Sequence, residues 1–124
     1  MYKRLKDNQG YSNLIEINGE NFKEMVLQSE MPVMLAFKAN WCGPCHKIEP
    51  GLKQLASENN KRLNSYIIDN DRERKIAEEY GVHLLPTILF FKKGRVMDSL
   101  IGTHSKEKIQ ERINVLLKSG KEKK

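Results

Sequence analysis

The sequence predicts an α/β fold in which a central mixed β-sheet of four to five strands is flanked by helices on both faces. Two observations favour this class. Segments with strand and helix periodicity alternate along most of the chain, which is typical of strands joined by helical crossovers. The alternation ends in two apolar strands, at 87–91 and 96–101, on either side of a Lys-Lys-Gly-Arg turn sequence at 92–95. Such a turn predicts a hairpin and therefore an antiparallel strand pair.

The first elements are a short strand at 14–17 and a helix at 20–29, for which Asn18 or Asn21 is the predicted cap. The continuous apolar run at 33–37 then predicts a second strand. Because its apolar residues do not alternate with polar ones, we expect this strand to be buried on both faces.

A longer helical pattern begins at about Cys42, and we expect Pro50 to kink it because proline removes a backbone donor and clashes with the preceding turn. The next strand is predicted at 65–68. Residues 69–71 are then expected to cap a third helix, which ends at Gly81 because glycine readily adopts the left-handed conformation found after helices.

A last helix is predicted from Ser105. The chain has 124 residues, which suits a single domain. We place this domain at 13–118. A polar N-terminal extension at 1–12 precedes it, and a basic tail at 119–124 follows it and is expected to be disordered.

The net charge of the chain is +6, from 22 Lys and Arg against 16 Asp and Glu. The basic residues are scattered among acidic ones, so we do not expect nucleic acid as a partner. No apolar run approaches the roughly 18 residues that a bilayer span needs. The N-terminus has no apolar segment of the kind that a secretion signal carries. The sequence therefore predicts a cytoplasmic protein without a membrane anchor, and we expect a monomer.

The chain has two cysteines, and they are separated by two residues in Trp41-Cys42-Gly43-Pro44-Cys45. A disulfide between them closes a very small loop, and such a loop constrains the unfolded chain little. Reactivity or metal binding therefore explains the pair better than a structural role.

The predicted helix places Cys42 at its first turn, where backbone N–H groups and the helix dipole stabilise a thiolate. Cys45 lies one turn further on, within reach of a mixed disulfide at Cys42. Gly43 permits a tight entry, and Pro44 suits an early helical position, where a missing N–H costs little. Trp41 is expected to shield the site and to offer substrates a flat apolar contact. These residues predict a redox-active dithiol that exchanges disulfides with other proteins.

A proline also precedes the strand at 87–91, in Leu84-Leu85-Pro86-Thr87. A cis bond before Pro86 would leave the preceding backbone free to pair with an extended peptide. Most X-Pro bonds are trans, so this motif is informative only in combination with the cysteine motif.

Together these motifs resemble the thioredoxin family in order and spacing over residues 13–118. The resemblance is carried by Trp41-Cys42-Gly43-Pro44-Cys45, Pro50, Tyr80-Gly81-Val82, Leu85-Pro86-Thr87, Phe91-Lys92-Lys93-Gly94 and Ile101-Gly102. It implies a thioredoxin fold and a protein-disulfide reductase, with Cys42 as the nucleophile, Cys45 as the resolving thiol and a cis bond before Pro86.

The resemblance also implies how substrates bind and how the dithiol is regenerated. The implied substrate-binding residues are Trp41, Gly43, Pro44, Leu85, Pro86, Ile101 and Gly102. The implied partners are proteins that contain disulfides and an NADPH-dependent thioredoxin reductase. No cofactor or metal is expected besides the redox-active Cys42–Cys45 disulfide.

Three positions depart from the family pattern. Thioredoxins usually bury an Asp beneath the second cysteine, with a Lys partner, and these positions are Ala36 and Ile67 here. Lys38 stands where an aromatic residue is usual. Both buried charges are absent together, as expected because a lone buried charge is costly. We therefore expect Cys45 to lose its proton to water or to another side chain, and the resolving step to be slower than in relatives that carry the Asp.

Other interpretations of the motifs remain open at this point. The segment from Cys42 to His46 also spells the haem attachment pattern C-x-x-C-H, although the strand before it and the Pro86 motif argue against haem. Zinc or an iron–sulfur cluster needs about four ligands, and neither His83 nor His104 has a ligand-like spacing to the cysteines. The remaining alternatives are a specialised protein with one dedicated partner, an oxidase or isomerase, and a peptide-binding module that does not use its thiols.

Overall fold

The structure is a computed structural model that describes the backbone of residues 13–122 and the side chains of 13–118. The predicted extension at 1–12 and the last two residues of the predicted tail lie outside the described residues. The last helix extends to Glu122, past the predicted domain end at residue 118. The division into extension, domain and tail stays a prediction.

Strands and helices alternate in the predicted order. They are β1 (Leu14–Ile17), α1 (Gly19–Phe22) with a π-helical turn at Lys23–Leu27, β2 (Val33–Lys38), α2 (Gly43–Glu58), β3 (Asn64–Asp69), α3 (Arg74–Glu79), β4 (Thr87–Lys92), β5 (Arg95–Ile101) and α4 (Lys106–Glu122). No helix in this described part is long and apolar enough to cross a membrane.

The five strands form one mixed sheet in the order β1-β3-β2-β4-β5. Strands β1 and β2 run parallel to β3, whereas β4 runs antiparallel to both β2 and β5. β2 therefore lies in the middle of the sheet. The prediction of an α/β fold with a mixed sheet of four to five strands is confirmed.

Each face of the sheet carries its own apolar core, as predicted for helices on both faces. The α2–α4 core consists of Met34, Ala36, Ile48, Leu52, Leu55, Leu63, Ile67, Ile88, Phe90, Leu100, Ile109, Ile113 and Leu116. The α1–α3 core consists of Ile17, Phe22, Val26, Val33, Leu35, Phe37, Tyr66, Ile68, Ala77, Val82, Leu89 and Phe91. Strand β2 contributes alternate residues to the two cores, and residues 33–37 are all buried. The predicted burial of this strand on both faces is confirmed.

The helix predicted at 20–29 is shorter than expected. Asn18 is its cap, because the Asn18 side chain accepts hydrogen bonds from the backbone N–H groups of Glu20 and Asn21. The Asn21 side chain in turn accepts from the Asn18 N–H, which completes a capping box. The α-helical part ends at Phe22, and the π-helical turn extends to Leu27.

The third helix begins later than predicted. Asp69 does not cap it, because the Asp69 side chain accepts from the N–H groups of Asp71 and Arg72 and closes a local turn. α3 starts only at Arg74 and is followed by Gly81, whose φ of 69° fits the predicted left-handed conformation. α2 continues through Pro50 to Glu58, and the kink at Pro50 stays a prediction.

The β4–β5 hairpin turns on Lys93 and Gly94, whose φ angles are both positive, at 53° and 78°. Such a pair is typical of the two-residue turns that match the twist of a hairpin. A Cβ atom added to Gly94 would lie 2.8 Å from the carbonyl oxygen of Leu27, whereas one added to Gly81 would meet nothing within 4 Å. The hairpin turn is therefore packed against the end of the π-helical turn.

This packing makes Gly94 harder to replace than Gly81. We expect Gly81→Ala to cost about 1 kcal/mol of unfolding free energy, because only the left-handed backbone disfavours alanine. Gly94→Ala should cost about 3 kcal/mol, because the contact with Leu27 adds to the same backbone term. Urea denaturation of both variants measures the difference. Equal losses would show that the Leu27 contact imposes no constraint.

Candidate active site

The two cysteines lie where the central strand is followed by α2. β2 ends at Lys38, and Cys42 is the N-cap of α2 with an extended backbone (φ −88°, ψ 105°). Cys42 and Cys45 are joined in a disulfide and are both buried, at 3% and 4% exposure. The Cys42 sulfur also accepts a hydrogen bond from the Cys45 N–H, at 3.2 Å. The sulfur of Cys42 thus occupies the position of a helix-capping acceptor.

This position gives the Cys42 sulfur an electrostatic advantage when the disulfide is reduced. The free N–H groups at the start of a helix carry partial positive charge, which stabilises a thiolate more than a thiol. Gly43 and Pro44 fill the first two helical positions, where proline loses no hydrogen bond. Both residues are exposed and lie directly between the cysteines. The sequence-based placement of this pentapeptide on a helix N-terminus is confirmed.

Trp41 projects from the loop before α2 and is 69% exposed. Its indole N–H donates a hydrogen bond to a carboxylate oxygen of Asp71, at 2.8 Å. Sequence reasoning did not identify Asp71 as a site residue. The available signal was its place after β3, because the carboxyl ends of the neighbouring parallel strands β2 and β3 lie at the same edge of the sheet.

The Asp71 carboxylate should therefore hold the Trp41 ring in place. We expect Asp71→Ala to lower kcat/KM for protein disulfides about threefold, the effect of one lost hydrogen bond. Trp41 is the sole tryptophan of the chain, so its fluorescence anisotropy reports its mobility directly. The anisotropy should fall in Asp71→Ala and stay high in Asp71→Asn, which keeps an oxygen acceptor. Unchanged anisotropy in Asp71→Ala would contradict this role.

The bond between Leu85 and Pro86 is cis, as the resemblance implied. The segment is held from both sides, since the Thr87 hydroxyl donates to the Leu84 carbonyl at 2.6 Å and the Gly102 N–H donates to the Pro86 carbonyl at 2.8 Å. Within the described residues, neither the N–H nor the C=O of Leu85 has a hydrogen-bond partner. The Leu85 backbone is thus available to an extended peptide.

The structure brings most of the predicted groove residues together. Leu85 packs against the buried cluster of Ala39, Cys42 and Cys45. Ile101 is the register partner of Thr87 and is 58% exposed. With the bond between Gly102 and Pro86, these contacts place β5, the cis-proline segment and the cysteines in one continuous region.

Strands β2 and β3 carry apolar residues at the two positions where the resemblance implies a buried charged pair. Ala36 and Ile67 are register partners in β2 and β3, and both are buried in the α2–α4 core, at 1% and 6% exposure. Two register positions further along these strands, the pair Lys38 and Asp69 is charged, with 3.9 Å between the Lys38 Nζ and an Asp69 carboxylate oxygen. The Lys38 Nζ lies equally far from a carboxylate oxygen of Glu16. Charge is therefore present at the edge of the sheet and absent below it.

His46 and His104 lie close to backbone carbonyl groups. His46 lies on the exposed side of α2, where its Nε2 is 2.8 Å from the Asn40 carbonyl oxygen. The His104 Nε2 lies 3.0 Å from the carbonyl oxygen of Ile101. Among the described residues, no group of three or more His, Cys, Asp or Glu side chains is placed to hold a metal ion.

Comparisons with known proteins identify relatives of this chain. The M-type chloroplastic thioredoxin of Spinacia oleracea is 37% identical over 112 residues, which cover 90% of this chain and 62% of the relative. That of Pisum sativum is 38% identical over 97 residues, covering 78% and 56%. The thioredoxin of Porphyra purpurea is 32% identical over 99 residues, covering 80% and 92%. The chain thus spans only 62% and 56% of the length of the first two relatives.

These relatives correct one prediction. The chain was predicted to be cytoplasmic, whereas the relatives from Spinacia oleracea and Pisum sativum are named chloroplastic. The prediction of a cytoplasmic location is therefore wrong. It rested on the missing secretion signal, and such a signal separates secreted proteins from others without separating the cytoplasm from an organelle.

The family is established by a match over most of the described residues. The family model described as Thioredoxin matches residues 13–115, which include both cysteines, the cis-proline segment and all five strands. The chain therefore belongs to the thioredoxin family.

Proposed function

We propose that this protein reduces disulfide bonds of other proteins by dithiol–disulfide exchange. The observation that carries the proposal is the buried Cys42–Cys45 pair at the N-terminus of α2, beside the Leu85 backbone, which has no hydrogen-bond partner among the described residues. The cysteine pair performs the chemistry. The Leu85 backbone binds the extended segment of the substrate that contains the disulfide.

The exchange has two steps that balance without a cofactor. The Cys42 thiolate attacks one substrate sulfur, so a mixed disulfide forms and the other substrate sulfur leaves as a thiolate that takes up a proton. The Cys45 thiol then gives up its proton, and its sulfur attacks Cys42. The substrate is released with both cysteines reduced, and the Cys42–Cys45 disulfide has formed.

The groove for the substrate consists of the exposed ring of Trp41, the exposed residues Gly43 and Pro44, the cis-proline segment Leu85-Pro86, and Ile101 with Gly102. Its apolar side chains suit an extended, uncharged segment. The protein acts as a monomer on disulfide-containing proteins. An NADPH-dependent thioredoxin reductase returns the dithiol to its reduced form.

Turnover of insulin disulfides coupled to NADPH and a thioredoxin reductase tests this proposal. We expect NADPH to be consumed at a rate proportional to the concentration of the protein. If dithiothreitol drives insulin reduction while NADPH and the reductase do not, the proposed recycling partner is wrong. If neither supports reduction, the proposed activity is wrong.

The reduction potential of the Cys42–Cys45 pair decides the direction of the reaction. Reducing members of the fold lie near −270 mV, whereas isomerases and oxidants lie near −180 and −120 mV. We expect a value close to the first of these. A value near −180 mV or above would instead support the oxidase or isomerase alternative.

A further inference from the structure

A second apolar feature lies beside the cis-proline segment. A cavity of about 200 Å³ is bounded on one side by residues 80–84 and on the other by the β4–β5 hairpin, through Thr87, Leu89, Ser99 and Ile101. We call it the Ile101 pocket.

The register of the hairpin explains why this pocket is on the same side of the sheet as α1 and α3. Ser99 is the partner of Leu89, and Ile101 is the partner of Thr87. Partners in an antiparallel pair project from the same face of a sheet. Because Leu89 belongs to the α1–α3 core, Ser99 and Ile101 lie on that face too. Both are nevertheless exposed, so the described helices leave this end of the face uncovered.

The pocket is continuous with the groove in which the disulfide is expected to bind. Ile101 belongs to both, and Leu84, which lines the pocket at 64% exposure, precedes Leu85 in the chain. Leu85 itself packs against the two cysteines. A segment that pairs with the Leu85 backbone therefore extends from the cysteines on one side to the Ile101 pocket on the other.

The lining of the pocket indicates which side chains it accepts. Among the described residues its walls include the apolar side chains of Val82, Leu84, Leu89 and Ile101 together with His83, and no Asp, Glu, Lys or Arg. Burying a charged side chain there is costly because no Asp, Glu, Lys or Arg of the lining pairs with it, whereas an apolar side chain gains by leaving water. The cavity is large enough for one leucine, methionine or phenylalanine side chain.

We propose that the Ile101 pocket selects substrates by binding a large apolar side chain close in sequence to the cysteine that Cys42 attacks. This inference rests on the proposed function and adds the class of substrate to it. Side chains of an extended segment alternate, and those on one side repeat about every 7 Å. The pocket should therefore bind the side chain of one substrate residue near the cysteine, and it should not contact the side chains of the two residues adjacent to that one.

A set of model disulfides tests this inference. In each, two identical short peptides of Ser and Gly are joined through one cysteine, and a single leucine is moved from three residues before the cysteine to three residues after it. We expect kcat/KM to be about tenfold higher for one position of leucine than for its neighbours. Aspartate at the same position should remove the gain.

Filling the pocket should abolish this preference. Ser99 is an exposed strand residue, and Ser99→Phe places a ring in the cavity, while Ser99→Thr adds only a methyl group and serves as the control. Ser99→Phe should reduce all peptides of the set at equal rates, and Ser99→Thr should keep the leucine preference. Circular dichroism and reduction of a small aromatic disulfide confirm that both variants are folded and active.

The outcomes separate the two proposals. If no disulfide of any kind is reduced, the proposed function fails. If all peptides are reduced with equal kcat/KM, or if Ser99→Phe retains the leucine preference, the function stands and the pocket is not a specificity site.

Discussion

Replacing Cys45 by serine is expected to stop turnover and to trap the protein in a mixed disulfide with its substrate. Cys42 is the helix cap and keeps its thiolate-stabilising position in this variant, so the first attack still occurs. The second step has no thiol to complete it. We expect steady-state reduction of insulin to fall by about a thousandfold or more, as for other covalent nucleophiles that act as a unit.

The trapped species is measured by mass spectrometry after mixing Cys45→Ser with a disulfide substrate. The control is Cys42→Ser, in which the remaining thiol belongs to the third residue of α2 and does not occupy the N-cap position. This variant should lose turnover without accumulating the adduct. An adduct of equal yield in both variants would contradict the assignment of Cys42 as the nucleophile.

Introducing a carboxylate at position 36 is expected to destabilise the fold strongly. Ala36 is 1% exposed, and its register partner in β3 is Ile67. Lys38 follows two residues later on the same face of β2, but its Nζ already lies 3.9 Å from carboxylate oxygens of Glu16 and Asp69, so an acidic side chain at position 36 would lack a cation of its own. We expect Ala36→Asp to cost about 3–5 kcal/mol of unfolding free energy at pH 7, the usual effect of an uncompensated buried charge. The double variant Ala36→Asp with Ile67→Lys should recover more than half of this loss, since it supplies the partner.

The pH dependence of this loss identifies its cause. Burial raises the pKa of the new carboxyl in the folded state above its unfolded value of about 3.9. The folded state then binds more protons than the unfolded one, so stability is lost as pH rises between the two pKa values. Urea denaturation of Ala36→Asp should therefore show most of the deficit at pH 7 and little at pH 4. A deficit that is equal at both values would indicate a steric cause.

The same double variant tests the chemistry of the resolving step. The resemblance implies that position 36 lies beneath Cys45, where a carboxylate can accept the Cys45 proton, so the mixed disulfide with substrate should be shorter-lived in the double variant than in the parent protein. Quenched-flow measurement of the adduct gives the lifetime. No change would reject the idea that Ala36 and Ile67 slow this step.

Much of the fold was predictable because periodicity and composition are local. The apolar run at 33–37 indicated a strand buried on both faces, and the turn at 92–95 indicated the hairpin. The helix ends were harder to predict, since one side chain can serve two local structures. Asp69 is as suitable for capping a helix as for closing a turn, and the structure has the turn.

The active site was predictable in its cysteines and less so in its surroundings. Cys42, Cys45 and Pro86 follow from short motifs, whereas the bond between Trp41 and Asp71 joins residues 30 positions apart and requires the order of the strands. The Ile101 pocket depends on a single irregularity. A β-bulge shifts the hairpin register between Phe90 and Phe91, which decides that Ile101 and not Leu100 lies on the α1–α3 face. Such a bulge has no sequence signal of its own here.

The central place of β2 has a consequence for amide hydrogen exchange. β2 is hydrogen-bonded to a strand on each side, whereas β5 pairs only with β4 among the described strands and leads directly into Gly102. Protected amides of a central strand exchange only when most of the molecule opens, while those of an edge strand exchange through local fraying. Slow exchange is therefore expected just before Cys42, and faster exchange around Ile101. The nucleophile Cys42 thus follows the strand that is expected to open last, whereas the groove wall at Ile101 can open and close locally.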